Sequence, residues 1–414
     1  MKPVLIIGSG IGGLTLAQGL KRVNIPFAIY ERDAAATARP QGYRIRIHGP
    51  ALDDLEKCLE PSIYRQFEAT AGKNVSFGPG GFGRIDARSG EKIQMGGPSR
   101  PGGGGGGGPG GPGGPGGSRP DLSRSLPIDR QTMRASLFRG LEPIYSKAFT
   151  KFTETETGVV ATFADGTQSI EGSLLVGADG IYSKVARQLV PESSPLDTGS
   201  RMIFGKTPLA NVRDDLLEEL REGVHVVQDK SDPTKPLILF MEVMTFTHAD
   251  APEDYIYWVI LGDPQSFGET DEELLMKKTD HAAAELSRHL TLDWAKGIKV
   301  ILDHQVEDNT SILRMTTSNP NALPCWPTNR RATLLGDAIH CMPPTGGSGA
   351  NTAIRDAALL VKTLADSQGA DGWPEQVIKG YEDEMRQYAG EIVQSSYRAG
   401  VKAFGVKQMQ GFPV

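Results

Sequence analysis

Residues 4–31 read VLIIGSGIGGLTLAQGLKRVNIPFAIYE. Val4 to Ile7 form an apolar run long enough for a buried strand, and Gly8-Ser9-Gly10-Ile11-Gly12-Gly13 follows as a glycine turn. Leu14, Ala17, Leu20 and Val23 then recur at helical spacing, and a second apolar stretch, PFAIY, ends at Glu31. Strand, G-x-G-x-x-G, helix, strand and acid, in that order, form an arrangement that binds a dinucleotide. Gly8 permits the tight turn, Gly10 lets the backbone approach a pyrophosphate, and Gly13 lets helix and strand pack closely. The helix opening at Ile11 and Gly12 offers unpaired N–H groups and the positive end of the helix dipole. Glu31 is placed to accept hydrogen bonds from a ribose diol. NAD and FAD fit this segment equally.

The rest of the chain narrows the choice. Its 414 residues suffice for two or three lobes, and a net charge of −6 gives no basic footprint for nucleic acid. Lys2 ahead of an apolar run imitates a secretory leader, but the glycines at 8, 10, 12 and 13 interrupt it. No charge-free run of about 20 apolar residues occurs, so no membrane anchor is expected. Cys58, Cys325 and Cys341 are widely spaced and odd in number, which argues for a reducing, cytoplasmic setting. A monomer or homodimer is expected. From 101 to 117 every residue is Gly or Pro, too few triplets for collagen and lacking the strand and helix that frame a phosphate loop. The segment reads as a flexible surface tether.

Two further stretches carry chemistry. Residues 172–189 read GSLLVGADGIYSKVARQL, an apolar strand running into Gly177-Ala178-Asp179-Gly180 and then a helix. Alone, Asp179 would be a helix cap. Residues 336–357 read GDAIHCMPPTGGSGANTAIRDA, entered from the strand RRATLL. Ser348 as a hydrolase nucleophile fails the G-x-S-x-G pattern, because Ala350 holds the last position. Asp337, His340 and Cys341 are too few for a metal centre, and no Cys-x-x-Cys or His-x-x-x-His pair joins them. No metal is expected.

Taken together, GSGIGG, VGADG and GDAIHCMPPTGGSGAN resemble the single-component, class A FAD-dependent monooxygenases, the aromatic hydroxylase family that includes para-hydroxybenzoate hydroxylase. The resemblance covers residues 1 to about 60 and about 120 to 380. It implies an α/β fold: a doubly wound, Rossmann-like FAD domain of the glutathione-reductase type, with an inserted β-sheet substrate domain and a C-terminal helix. Cofactor contacts are implied for Gly8, Gly10, Ile11, Gly12, Gly13, Glu31, Arg32, Arg130, Asp179 and Asp337. Gly349, Ala350 and Asn351 would open a helix toward the flavin's pyrimidine edge, stabilising negative charge there. Pro343 and Pro344 would lie beside the ring, while His340 would be packed nearby with a hydrogen bond to backbone. Arg44 and Arg46 alternate with Ile45 and Ile47 and so share a face. They resemble arginines that bind cofactor phosphates, although two solvated charges on an edge strand would look the same.

The resemblance also implies the activity. NAD(P)H and O2 would hydroxylate or epoxidise an aromatic or other electron-rich small molecule by way of a flavin hydroperoxide, with FAD bound non-covalently and no dedicated catalytic side chain required. A non-oxygenating reductase or cyclase of the same fold is the alternative, then a flavin redox sensor. A flavin-dependent halogenase stands with the sensor as a further alternative, although its W-x-W-x-I-P signature is absent and Trp258 has no partner two residues away. No second G-x-G-x-x-G follows a strand, so NAD(P)H would bind transiently at the surface. GVHVVQ, PLILFMEVM and DYIYWVILG read as strands roofing the flavin, with His225, Met241 and Tyr257 as candidate pocket residues. The expected FAD-domain segments are 1–72, 120–195 and 311–374. The substrate domain takes 73–119 and 196–310, and a helical segment fills 375–414.

Overall fold

The computed structural model describes residues 1–36, 43–74, 82–93, 124–276, 280–367 and 372–414, and the glycine-proline tether lies outside them. The chain begins with β1 (Val4–Ile7), α1 (Ile11–Arg22), β2 (Phe27–Tyr30), β3 (Arg44–His48), α2 (Pro50–Cys58) and α3 (Pro61–Ala69). Next come β4 (Gly83–Asp86), β5 (Ser125–Asp129), α4 (Arg130–Phe138), β6 (Phe149–Glu154), β7 (Val159–Phe163), β8 (Leu174–Gly177) and α5 (Lys184–Leu189). A long middle section holds β9 (Leu196–Pro208), β10 (Val224–Asp229), β11 (Leu237–Met244), β12 (Tyr255–Gly262), α6 (Asp271–Met276), α7 (Asp280–Leu290), α8 (Lys296–Asp303) and β13 (Ser311–Thr317). The last elements are β14 (Ala332–Leu334), α9 (Asp337–His340), α10 (Gly349–Asp366) and α11 (Glu375–Ala403).

β14, β8, β1 and β2 make a parallel sheet in that order. The side chains of Val4 to Ile7 are buried on both faces of this sheet, which is why β1 reads as an unbroken apolar run. Burying each contributes roughly 1.5–3 kcal/mol. Helices α1, α10 and α11 and the β6–β7 hairpin complete this core. The three glycine-bearing motifs follow β1, β8 and β14, which are adjacent and parallel. Segments more than 150 residues apart in sequence therefore meet at one carboxyl edge, where open α/β sheets bind their ligands.

A six-stranded sheet, ordered β13-β9-β12-β11-β10-β4, is tied to β3 and β5 by ion pairs from Glu242 to Arg46 and from Lys206 to Asp129. Its pairings are antiparallel except for β10 with β4. Leu239, Met241, Val243, Trp258 and Ile260 pack on one side against α7 and α8 residues such as Leu286, Ile298 and Ile301. Phe204, Val226, Ile238, Val259 and Leu261 form the other side, with Phe240 and Tyr257 beside them. The boundary expected after residue 310 needs correcting. β13 pairs with β9, so this sheet runs to Thr317 before the chain returns to the parallel sheet.

Candidate active site

The first turn is set by its glycines. Gly8 has φ of +109°, and a Cβ there would lie 2.3 Å from the Ala178 carbonyl oxygen, so the β1 and β8 turns touch. A Cβ on Gly13 would lie 2.2 Å from the carbonyl oxygen of Gly8, whereas one on Gly10 would meet nothing within 4 Å. Gly13 therefore serves packing, and Gly10 borders open space suited to a ligand. Gly12 packs α1 against Leu335 and Ala353, and Ile11 is half-buried beside it.

Glu31 is buried and already organised. Its Oε2 accepts from the Ser9 amide and hydroxyl, both at 2.7 Å, and its Oε1 accepts from the Asp33 amide at 3.0 Å. Burial pushes this carboxyl up, but the Asp33 and Ser9 donors and the charge of Arg32 outweigh it, leaving it below its ordinary value. Arg32 itself is exposed. Asp179 accepts from the Ser183 hydroxyl at 2.5 Å and from the Lys184 amide at 2.8 Å, and so ties down the start of α5.

Asp337 follows Gly336, whose φ is +63°. Solvent reaches it, yet its carboxyl is held above the ordinary range chiefly by desolvation, with His340 and Arg130 opposing. Both observations fit a carboxylate at the bottom of a cleft, where water touches one side while protein surrounds most of the group. The cleft wall includes Tyr182, Ser318 and Cys341. Arg130 stacks over Tyr43 with 5.2 Å from guanidinium carbon to ring centre, and its charge reaches Asp337. The structure thus brings these two together, from β5–α4 and β14–α9.

Helix α10 opens at Gly349 without a side-chain cap, so its first-turn amides have no capping partner. Asn351 fixes this opening by donating to the carbonyls of Arg46 at 2.8 Å and Gly347 at 2.9 Å and accepting from the His48 amide at 3.0 Å. Pro343 is buried and Pro344 exposed, and the Thr345 hydroxyl of the same turn donates to the Ser396 carbonyl of α11 at 2.7 Å.

His340 departs from expectation. It is fully buried, and its Nε2 lies 2.6 Å from the Asp356 carboxylate rather than on a backbone group. Asp356 also accepts from the Gly336 amide at 2.7 Å and the Tyr388 hydroxyl at 2.5 Å. Desolvation lowers the imidazole, but the charge and hydrogen bond of Asp356 outweigh it and hold it above its ordinary value. Burial, reinforced by Asp337, pushes the Cys341 thiol up to about 11, far from a reactive thiolate.

Arg44 and Arg46 do share a face of β3. Both are ion-paired to Glu242 of β11, with 2.5 Å from Arg46 Nη2 to Glu242 Oε1. Arg46 also donates to Asn74 at 2.8 Å and Ser125 at 3.0 Å. The Arg44 guanidinium lies 5.6 Å from the Phe240 ring centre and 5.7 Å from that of Tyr257. Tyr257, between Lys206 and Glu242 in register, stands on this cleft face, where burial raises its hydroxyl's pKa and Arg44 opposes the shift. His225 and Met241 do not line the cleft. With period 2 along each strand they turn to the far side, Met241 fully buried beside Trp258 and His225 bonded to the Glu222 carbonyl at 2.7 Å.

Sequence reasoning missed Glu242, although a lone acid inside the apolar run LILFMEVM is a signal, since a buried charge must be paired. It also missed Asp129. That carboxylate caps α4 through the Gln131 and Thr132 amides and, across the seam, takes the Tyr255 hydroxyl at 3.1 Å and the Lys206 ammonium. Among the described residues no His, Cys, Asp or Glu group could hold a metal, and no helix is long and apolar enough to cross a membrane. The three cysteines are free. An open Gly10, a cleft-floor Asp337 and an uncapped α10 suit a long, flat, doubly phosphorylated cofactor, and the residues present fit FAD.

Comparison with known proteins agrees. Residues 300–396 match a family described as FAD binding domain. The dual O-methyltransferase/FAD-dependent monooxygenase elcB of Phaeosphaeria nodorum is 34% identical, over 97% of this chain and 44% of that protein. The FAD-dependent monooxygenase phnB of Penicillium herquei is 28% identical, over 99% of this chain and 93% of that protein. The chain spans about half the length of the first curated relatives it matches, 44% and 47% of two of them. A solved structure from Photorhabdus luminescens, provisionally described as an FAD-containing monooxygenase, superposes with a TM-score of 0.75 at 28% identity. It covers 99% of this chain and all of that one.

Proposed function

We propose that the chain is a class A FAD-dependent monooxygenase, one that uses NAD(P)H and O2 to place one oxygen atom on an aromatic ring or other electron-rich small molecule. The balance is substrate–H, O2, NAD(P)H and a proton giving substrate–OH, NAD(P)+ and water. Bound FAD supplies the hydride acceptance and oxygen activation. One observation carries the reading: three motifs converge on the carboxyl edge of the parallel sheet, and the aromatic side of the six-stranded sheet is tied to β3, whose Arg46 carbonyl bonds the α10 opening.

The protein's own part is binding, orientation and exclusion of water. The α1 opening at Gly10 receives the pyrophosphate, and Glu31, with lone pairs left after Ser9 and Asp33, accepts from the ribose. Asp337 and Arg130 hold the middle of the cofactor. The α10 amides at Gly349 to Asn351 face the ring's pyrimidine edge and favour negative charge there, with Pro343 and Pro344 beside it. Phe240, Tyr257 and the Arg44 guanidinium between them form a flat, apolar wall for the substrate. NAD(P)H approaches from the surface, since no second dinucleotide turn follows a strand among the described residues. Likeness to proteins named for both O-methylation and flavin oxygenation favours a phenol, because a ring hydroxyl is what an O-methyltransferase consumes. Three free cysteines favour a cytoplasmic setting.

The test is NADPH or NADH oxidation by the FAD-loaded protein with a panel of hydroxynaphthalenes under 18O2. Substrate-stimulated oxidation with one labelled oxygen in the product is expected. Stimulated oxidation that yields only hydrogen peroxide across the panel would count against oxygenation, and a reduced product without label would establish the reductase alternative.

A further inference from the structure

Glu242 is fully buried, yet it stands on the cleft face of β11 with a guanidinium at each carboxylate oxygen. Arg44 and Arg46 reach it from β3, 196 residues earlier in the case of Arg46. A buried carboxylate is costly unless paired, and two buried guanidiniums need at least one counter-charge. Burial and the like charge of Arg44 pull the Arg46 guanidinium down to about 9, which still leaves it charged at neutral pH beside Glu242. The trio therefore stays ionised with a net charge of about +1.

The trio's position gives it a role beyond stapling two lobes. The carbonyl of Arg46 accepts from Asn351, the third residue of α10, so its side chain leaves β3 next to the helix opening. His48, on the same face of β3, has an imidazole lowered by burial and by Arg46, so it adds no charge. Farther along the sheet face, Lys206 and Asp129 neutralise each other. Glu242 is thus the group that decides how much positive charge this corner carries.

We propose that Glu242 is a positioning residue of the oxygenation site: by clamping Arg44 and Arg46 across the seam, it sets the charge that the flavin ring meets and holds the Arg44 guanidinium against Phe240 and Tyr257. This rests on the reading that the ring lies at the α10 opening. Loss of the carboxylate charge favours the reduced, more negative flavin.

The experiment compares midpoint potentials of the FAD-loaded parent, E242Q, E242D and the double variant R46Q/E242Q, each equilibrated with a reference dye. In E242Q the equilibrium constant for flavin reduction rises about tenfold. E242D stays near the parent, and R46Q/E242Q, which loses one charge of each sign, returns toward it. An E242Q constant within twofold of the parent, or a double variant as shifted as E242Q, overturns the proposal. So does loss of FAD from both E242Q and the double variant while the parent keeps it, which would make Glu242 a folding staple alone. A parent that holds no FAD would instead overturn the family-based reading of the site.

Discussion

Asn351 and Arg46 stand 305 residues apart and share a 2.8 Å hydrogen bond, the side-chain amide of one donating to the backbone carbonyl of the other. With the His48 amide bonded to the same side chain, this tie holds the α10 opening against β3. Asn351→Ala removes three hydrogen bonds of a buried amide and leaves the His48 N–H and two carbonyls to find water. We expect a loss of about 1–3 kcal/mol in stability and roughly tenfold weaker FAD binding, read by denaturant melts and by flavin fluorescence titration. Unchanged flavin affinity would separate this tie from the cofactor.

The glycine turn offers a sharper contrast. Gly13→Ala drives a Cβ into the Gly8 carbonyl and should cost about 3 kcal/mol or more in the apo protein. Gly10→Ala meets no atom, so the apo melting temperature should stay within about 2 °C of the parent while FAD binding is lost. Equal effects of the two substitutions on apo stability would contradict the assigned roles.

His340 gives the stability a pH signature. Its folded pKa is raised by Asp356, so its contribution is complete below the ordinary imidazole value near 6.5 and declines as pH climbs through the higher folded value. The melting temperature should therefore fall from neutral to alkaline pH, and His340→Gln should flatten that slope. His340→Ala leaves the buried Asp356 with only Gly336 and Tyr388 as donors and should cost about 3 kcal/mol.

Glu31 works at the acid end. Its folded pKa is depressed, so its contribution is present above the ordinary carboxylate range and lost as pH falls through the lower folded value. Acid titration of the holoprotein should release FAD in that window. Glu31→Gln sets an NH2 group or a weaker acceptor against the Ser9 donors; about tenfold weaker binding without the acid limb is expected.

Much of this site was legible because its demands are local. A tight turn, a close backbone approach and an uncapped helix opening each need particular residues in one contiguous stretch. GSGIGG and GGSGAN therefore announced their places, although the strands that gather them are far apart. The substrate sheet was less readable for a physical reason. β11 and β12 are buried on both faces, helices on one side and the cleft on the other, so alternation does not say which side is which. That is how Met241 was read toward the cleft while its neighbour Glu242 went unnoticed. The partners of Arg44 and Arg46 were hidden likewise, since no local pattern around RIRIH names a carboxylate two hundred residues on.

The strand order also bears on how the holoprotein comes into being. β1, β8 and β14 lie side by side, but the whole six-stranded sheet except β4 is threaded between β8 and β14. A ribosome must therefore release the substrate lobe before the third motif and the α10 opening can dock. Flavin cannot nucleate the growing chain, since its seat is closed by residues as late as Asn351. The complete seat therefore exists only after sequence-distant contacts have formed, and such contacts form slowly.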